Sequence, residues 1–254
     1  MQFFCNSFEA LIDNVAADEV LLDWAESEDR GPFIRLWESS IYGVVVGYGN
    51  AISREVSVAT CSEEQIPIVR RCSGGGTVVQ GPGCLNYAVV LPISIDPVLN
   101  SIQGTTLWVM GRLQMLFQSL ASQNQLRPDN PLVSGGPLTV TISGDSDLAV
   151  NGLKFSGNAQ RRRKRYVLFH GTILYAFDLS KVSDLLPHPS REPRYRSRRT
   201  HSEFITNIGI DKSDLIESLF RFFNASGCQD PFPDHLVTEY VRSRYSTALW
   251  RDKF

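Results

Sequence analysis

The spacing of apolar residues along the chain predicts four helices. Ala16, Val20 and Trp24 recur at intervals of four, so they share one face of a helix that packs against a core. Three later segments are also predicted to be helical. The predicted helices cover residues 13–26, 109–120, 216–223 and 234–245.

Short runs rich in β-branched and aromatic residues predict strands between these helices. The runs PFIRLWE and YGVVVGY, at residues 32–38 and 42–48, are separated by a short turn and predict a hairpin. Helices are inserted among the strands without regular βαβ alternation. This order predicts an α+β fold with a mixed or antiparallel sheet flanked by helices. The remaining predicted strands cover residues 77–80, 86–92, 138–143 and 166–175.

The composition is that of a soluble globular protein. Of 254 residues, 43% are hydrophobic and 20% are charged, which excludes wholesale disorder. No apolar run approaches the ~20 residues of a membrane helix, and the N-terminus lacks the basic start of a signal peptide. Five cysteines form no CxxC pair, which indicates reduced thiols and a cytoplasmic protein. We expect one domain over residues 1–254 and no membrane partner.

Basic residues are concentrated in two short segments. The chain carries 25 basic and 27 acidic residues, with five basic residues in the run RRRKR at 161–165 and five more within 191–199. Such clusters meet negative charge on a phosphate-bearing ligand, an acidic protein or a nucleic acid. The charge pattern alone leaves all three open.

A triplet of glycines is the first candidate for ligand binding. Gly74, Gly75 and Gly76 follow shortly after Arg70 and Arg71. Bare backbone approaches a ligand closely and presents N–H groups to an anion, and guanidinium groups suit a carboxylate or phosphate. The loop is not a P-loop, because no Gly-Lys-Ser/Thr follows. A tight hairpin is the alternative interpretation.

A lysine after a turn is the second candidate. Asn151 and Gly152 form a strong turn signal, and Lys154 follows between apolar Leu153 and Phe155. Successive strand residues point to opposite faces of a sheet. The ammonium group and the two apolar side chains are therefore expected on opposite faces.

A histidine in a predicted strand is the third candidate. His170 precedes Gly171 and Thr172, and a histidine in such a place is usually packed in a core. No pair of histidines has HxxxH or HExxH spacing, so no metal site is expected. No GxSxG motif supports a serine hydrolase.

These motifs, in this order, resemble the lipoate–protein ligase A family, within the superfamily of biotin and lipoate ligases and octanoyltransferases. Residues 70–78 match the family's signature Arg-Arg-x-Ser-Gly-Gly-Gly-x-Val. Residues 152–160 match its lysine motif, residues 170–172 the strand that follows, and residues 14–22 its opening helix. The resemblance implies the α+β catalytic-domain fold shared with biotin protein ligases.

The resemblance also implies a reaction. Lipoate or octanoate would be activated with ATP as an acyl-adenylate, with Mg²⁺ expected beside the nucleotide, and passed to a lysine of a lipoyl carrier domain. The carrier would be of the 2-oxoacid dehydrogenase E2 or glycine cleavage H protein type. Lys154 is the predicted catalytic residue, because its charge would stabilise charge that develops between acyl carbonyl and α-phosphate. The residues predicted to bind lipoate or adenylate are Arg70, Arg71, Ser73, Gly74, Gly75, Gly76, Val78, Asn86, Ser156, Gly157, Asn158, Ala159, His170, Gly171 and Thr172.

Two features depart from the family pattern. The family carries His-Asp after the signature loop, where this chain has Gln80 and Gly81, so ligand contacts on that side are expected to differ. No C-terminal accessory domain is expected in a chain ending at Phe254. The resemblance then implies either a separate accessory protein or the use of a preformed adenylate.

Two alternatives stay open. An octanoyltransferase of the same superfamily would use a cysteine nucleophile and no ATP, but the stretches where its branches carry that cysteine, 139–147 and 173–227, contain none. Cys72 and Cys84 lie near the signature loop and fit neither position. The other alternative is a non-catalytic ligand- or nucleic-acid-binding protein. A nucleic acid is not expected, because the run at 161–165 lacks interleaved aromatic residues.

Overall fold

The computed structural model describes residues 1–133, 136–227 and 231–254, and Cys228 lies outside the described residues. Over this part of the chain the strands form one sheet of eight and one of three. The strands are β1 (Gln2–Cys5), β2 (Phe33–Trp37), β3 (Gly43–Val46), β4 (Ile68–Arg70), β5 (Val78–Gln80), β6 (Cys84–Pro92), β7 (Val140–Ser143), β8 (Asp147–Val150), β9 (Leu153–Arg162), β10 (Tyr166–Leu174) and β11 (Ser226–Gly227). The helices are α1 (Leu11–Glu28), α2 (Ile52–Glu55), α3 (Val58–Glu63), α4 (Ile102–Ser122), α5 (Ser180–Leu185), α6 (His201–Phe204), α7 (Lys212–Phe222), α8 (Asp234–Tyr240) and α9 (Ala248–Arg251).

The large sheet is mixed, with the order β11-β1-β2-β6-β10-β9-β8-β7. The strand β1 runs parallel to both of its neighbours, and the pairs from β2 to β7 are antiparallel. In the small sheet, β3 is parallel to β4 and antiparallel to β5. With helices on the sheet faces, this architecture confirms the predicted α+β fold with a mixed sheet.

Helices cover both faces of the large sheet because its central strands are apolar on both sides. On one face, α4 and α7 pack against alternate strand residues such as Leu36 and Phe169. On the other face, α1 packs against the intervening residues, including Ala88 and Leu168. The small sheet lies on the α1 side, where Val45 joins the cluster around Trp37.

The hairpin predicted from residues 32–38 and 42–48 is wrong. The strand β2 lies between β1 and β6 in the large sheet, whereas β3 lies between β4 and β5 in the small one. All residues of both strands are buried, so neither strand shows the alternation of buried and exposed residues that would indicate its partner. Each strand buries more apolar surface as an interior strand of one of two packed sheets than it would as half of a single exposed hairpin.

The other sequence predictions hold with shifted boundaries. The helices predicted at 13–26, 109–120 and 216–223 correspond to α1, α4 and α7, and the last predicted helix divides into α8 and a π-helical turn at Val241–Tyr245. The remaining predicted strands correspond to β5, β6, β7 and β10. The turn between β8 and β9 has positive φ angles of 46° at Asn151 and 80° at Gly152. Those angles fit the two-residue hairpin that this dipeptide favours.

Two of the five residues in the basic run at 161–165 form ion pairs inside the fold. Arg163 pairs with Asp23 of α1 at 2.5 Å, and Arg165 pairs with Asp29 just beyond that helix at 3.1 Å. The run therefore ties the end of β9 to α1. For Arg163 and Arg165, this corrects the expectation that the charge of the run is available to an outside partner. No helix of the described residues is long and apolar enough to cross a membrane.

We predict that Phe117→Ala lowers the free energy of unfolding by about 3–5 kcal/mol, because the ring is fully buried and packs edge-on against Phe155 at 5.1 Å. Urea denaturation measures the change. Met115→Ala is the control on the same helix, since that side chain is 62% exposed and should change stability by less than about 0.5 kcal/mol. Equal effects of the two substitutions would contradict the orientation of α4.

Candidate functional site

A cleft of about 710 Å³ lies between the large sheet and the small sheet. Its floor follows from strand register, since residues directly opposite in antiparallel strands share a face. Trp37 lies opposite Asn86, Asn86 opposite Thr172, and Thr172 opposite Gly157. The floor thus runs as one row across β2, β6, β10 and β9.

The walls above one part of this floor are apolar. Val45 and Val78 are paired across β3 and β5 and form the roof, and Val15 of α1 closes the side. Together with the Trp37 ring they form a slot suited to an alkyl chain.

The glycine loop is held close to a second loop by backbone contacts. Asn50 donates to the Gly75 carbonyl at 3.0 Å, and a Cβ atom on Gly47 would come within 2.1 Å of that oxygen. Gly75 itself has a φ of +86° and lies over the floor strand β9, where a Cβ on it would be 3.8 Å from Ala159. Residues 47 and 75 therefore both require glycine.

Arg71 supports the glycine loop from within. Its guanidinium donates to the Ser73 hydroxyl and to the carbonyls of Val45, Gly74 and Gly76. Burial lowers the pKa of Arg71 to about 10, which leaves it charged at neutral pH. Its main role in this arrangement is to fix the loop conformation.

Arg70 is placed differently from the sequence prediction. It is 1% exposed, and its three nitrogens donate to carbonyls of residues 47, 48, 50, 250 and 251. The guanidinium binds the C-terminal segment to the loop that follows β3. Because its donors are occupied in this way, the Arg70 guanidinium has few left for a ligand.

Lys154 extends along the floor of the cleft. Its Nζ atom is 2.8 Å from Asp147 Oδ1, and the Tyr195 hydroxyl donates to Asp147 Oδ2 at 2.8 Å. The ammonium would be 2.9 Å from a Cβ atom on Gly157, so the missing side chain there gives it room. Burial, followed by the charge of Asp147, raises the pKa of Tyr195. The ammonium and the glycine loop thus line the same cleft.

Asn158 is engaged within the sheet. Its Oδ1 accepts the Tyr87 hydroxyl at 2.5 Å, and its Nδ2 donates to the Ser146 carbonyl at 2.7 Å and to Ser156 Oγ at 3.2 Å. A Cβ atom on Gly171 would lie 1.8 Å from Asn158 Oδ1, so glycine is required there. The amide links β9 to β6 and to the turn between β7 and β8, and it has few bonds left for a ligand.

The predicted site residues divide into two groups. Those that line the cleft are Arg71, Gly75, Gly76, Val78, Asn86, Lys154, Ser156, Gly157, Asn158, Ala159, His170, Gly171 and Thr172. Arg70, Ser73 and Gly74 are not part of its lining.

Asp18 is a buried residue of the site that the sequence analysis did not identify. Its carboxylate accepts from Arg35 at 2.8 Å, from Trp37 at 3.1 Å and from His170 Nδ1 at 2.9 Å. The available signal was a pair of polar residues, Asn14 and Asp18, four positions apart within an apolar helical segment. Polar residues at that spacing face the core together.

The contacts continue from Asp18 to the glycine loop. His170 Nε2 lies 2.6 Å from Ser73 Oγ. With Nδ1–H donating to the carboxylate, Nε2 accepts the serine proton, and Ser73 in turn accepts from Arg71. The distances are those of a Ser–His–Asp triad, but Ser73 is 1% exposed and does not line the cleft. The chain of bonds therefore positions the loop rather than presenting a nucleophile.

None of the described cysteines lines the cleft. Cys72 and Cys84 are buried, and burial raises the pKa of both thiols. A raised pKa removes the thiolate that nucleophilic attack needs. Cys61 is likewise buried, and Cys5 is exposed on β1.

No group of three or more His, Cys, Asp or Glu side chains gathers as a metal site within the described ranges. Asp145 and Asp147 both line the cleft near Lys154. One or two carboxylates with substrate phosphates are a common way to hold Mg²⁺, so this wall fits an ion that arrives with a nucleotide.

We predict that Asp18→Asn lowers the free energy of unfolding by about 3–5 kcal/mol, because it leaves the buried Arg35 guanidinium without its counter-charge. The new amide would also disturb the proton arrangement at His170. Urea denaturation measures this, with Glu63→Gln, an exposed carboxylate on α3, as the control. A loss of less than about 1 kcal/mol would show that the Asp18 network does not hold these elements together.

Comparison with known proteins agrees with the geometry. The chain is 23% identical over 241 residues to octanoyltransferase LipM of Oceanobacillus iheyensis, covering 95% of this chain and 87% of that protein. A lipoate–protein ligase A solved with bound ATP has a TM-score of 0.75 and 21% identity, over 98% of this chain and 97% of that one. A bipartite lipoate protein ligase of Thermoplasma acidophilum, described with its E2 lipoyl domain, has a TM-score of 0.66 and 20% identity, over 98% and 95%.

The two structures confirm the predicted lipoate ligase catalytic-domain fold. A family model, described as the lipoyl protein ligase A/B catalytic domain, matches residues 11–210, which is most of the chain. The chain therefore belongs to the lipoyl protein ligase A/B catalytic-domain family.

Proposed function

We propose that this protein activates lipoate or octanoate with ATP as an acyl-adenylate and transfers the acyl group to a lysine of a lipoyl carrier domain. The observation that carries the proposal is the convergence of an ammonium, a bare glycine loop and an apolar slot in one cleft. An acyl-adenylate has three matching parts: an alkyl chain, a mixed anhydride and a nucleotide.

The acyl chain would lie in the slot formed by Val15, Val45 and Val78, over the floor row that starts at Trp37. Its carboxyl group would then reach β9, where the Lys154 ammonium lies. A carboxylate oxygen attacks the α-phosphorus of ATP and pyrophosphate leaves. Lys154, drawn from Asp147, stabilises the negative charge that develops on the phosphoryl and acyl oxygens.

In the second step the carrier lysine attacks the acyl carbonyl. A new amide forms, the bond to the phosphate oxygen breaks, and AMP leaves. The same ammonium lies beside both oxygens that gain charge in this step. Because it acts on charge and not as a nucleophile, no covalent lysine intermediate is involved.

Acyl transfer without ATP is the second candidate function, and the similarity to octanoyltransferase LipM supports it. That chemistry requires a reactive cysteine in the cleft. The buried thiols of Cys72 and Cys84 and the position of Cys61 do not provide one, which favours ligation. Cys228 lies outside the described residues, and its substitution distinguishes the two functions.

A paired assay separates the two functions. Exchange of radioactive pyrophosphate into ATP, dependent on lipoate or octanoate, is the expected result for the ligase. Octanoyl transfer from an acylated carrier without ATP, lost in Cys228→Ser, would overturn the proposal in favour of the transferase. If exchange appears only after a second protein is added, the accessory-protein expectation is supported as well.

We predict that Lys154→Ala slows adenylate formation by about 10²–10³-fold, the usual effect of removing one charge that stabilises a transition state. The rate of pyrophosphate exchange measures it. Lys212→Ala, which removes an exposed lysine paired with Glu38, is the matched control and should retain wild-type exchange. Loss of activity in both variants would indicate general damage and not a role for Lys154.

The carrier would dock on the arginine segment at 191–199 rather than on the run at 161–165. Arg191 lines the cleft, and Arg194 and Arg198 are exposed. In contrast, Arg163 and Arg165 are paired with acidic groups of α1 and its C-terminal end. An acidic carrier surface would therefore meet its complement beside the cleft.

We predict that the double variant Arg194→Glu and Arg198→Glu raises the KM for the carrier about three- to tenfold with little change in kcat. Charges at the rim of an interface mainly affect the rate at which the two proteins associate. The effect should shrink as salt is raised, since screening weakens exposed charges. Lys164→Glu reverses an exposed charge of the other run and is the control. A larger increase in KM from Lys164→Glu would show that the carrier docks on the run at 161–165 instead.

A further inference from the structure

A buried polar side chain in the roof of the cleft takes no part in the steps above. Gln80, the last residue of β5, is 5% exposed and lines the cleft. Its Oε1 atom has no hydrogen-bond partner among the described residues. Buried oxygens of this kind are nearly always paired, and leaving one unpaired is unfavourable. The atom is therefore a candidate to meet a ligand.

Strand geometry places Gln80 at the end of the roof remote from the reacting groups. Residues two apart on a strand share a face, so Gln80 projects on the same side as Val78. Val79, between them, packs into the opposite cluster with Val44. Gln80 lies about 7 Å beyond Val78 along β5, in the direction away from the glycine loop.

The surroundings of Gln80 differ from the apolar part of the slot. Its partner across β3 is Gly43, which has no side chain to cover the carboxamide. Asn86, on the floor, also lines the cleft, and its Nδ2 makes one long contact of 3.4 Å to the Cys84 carbonyl. A chain that enters between Val45 and Val78 would therefore meet polar groups at this end.

We propose that Gln80 is a specificity-determining residue that favours a medium-chain acid with a dithiol tail over a plain alkyl acid. The inference rests on the proposed function for the acyl slot. A plain alkyl tail would exclude water from the Gln80 oxygen and offer nothing in exchange. The thiol groups of a dithiol tail donate weakly to the Gln80 carbonyl, and their sulfur atoms are soft and polarizable. Reduced lipoate, which carries two thiols, is therefore the preferred acid, and octanoate, which offers no donor, is the poorer one.

Calorimetric titration of the whole chain with lipoate kept reduced as the dithiol and with octanoate, without nucleotide, tests the assignment. The key variant is Gln80→Met, which keeps an unbranched chain of similar length but removes the carbonyl. We expect octanoate to bind at least fivefold tighter to Gln80→Met than to the wild type, while the affinity for reduced lipoate does not increase. Gln125→Met, an exposed glutamine after α4, is the matched control and should bind both acids as the wild type does.

An unchanged ratio of the two affinities in Gln80→Met would overturn the assignment. So would failure of both acids to bind the wild type, because the slot would then not be an acyl site. Acid binding with the expected ratios, in a protein that shows no ATP-dependent exchange, would instead reject the proposed ligation and leave the role of Gln80 standing. Thermal unfolding of each variant confirms that the protein is folded under the titration conditions.

Discussion

Asp18 is a buried carboxylate shared by three donors from two strands, and the site is built around it. Arg35 and Trp37 hold it from β2, and His170 holds it from β10. A charge in this environment is stable only when it is paired and fully hydrogen-bonded. The same carboxylate thus fixes α1 on the sheet and fixes the orientation of the histidine that contacts Ser73.

That constraint passes to the glycine loop through polar contacts. His170 accepts from Ser73, and Arg71 donates to Ser73 and to the loop carbonyls. A loop of three glycines has little conformational preference of its own. The buried polar side chains beneath it supply the order that its sequence lacks, so the loop can keep bare backbone toward the cleft without being mobile.

The two activities known among relatives differ in a single requirement of the site. Transfer through an acyl-enzyme needs a reactive thiol, whereas adenylation needs positive charge beside the anhydride. Lys154 lies in the cleft, and Cys72 and Cys84 are buried away from it. Sequence similarity at the level of the family does not distinguish these chemistries, so the proposed function depends on the side chains that line the cleft.

Much of this protein followed from the sequence. The periodicity of apolar residues determined α1, α4 and α7, the Asn151-Gly152 turn determined the β8–β9 hairpin, and the glycine and lysine motifs identified the two sides of the cleft. These are local signals, set by backbone preference and by the face on which each residue lies. The sequence could not assign β2 and β3 to separate sheets, because both are buried on both faces and local pattern carries no information about distant partners.

The roles of individual polar residues were decided only by tertiary structure. Arg70 and Arg71 are adjacent in the signature, yet one binds the C-terminal segment and the other supports the glycine loop. Arg163 and Arg165 belong to a run that looks like a docking surface in sequence, but both pair with acidic groups of α1 and its end. A charged side chain has the same identity whether it meets solvent, ligand or a buried partner. Which of these it meets depends on chain segments far away in sequence, and only the packed fold brings them together.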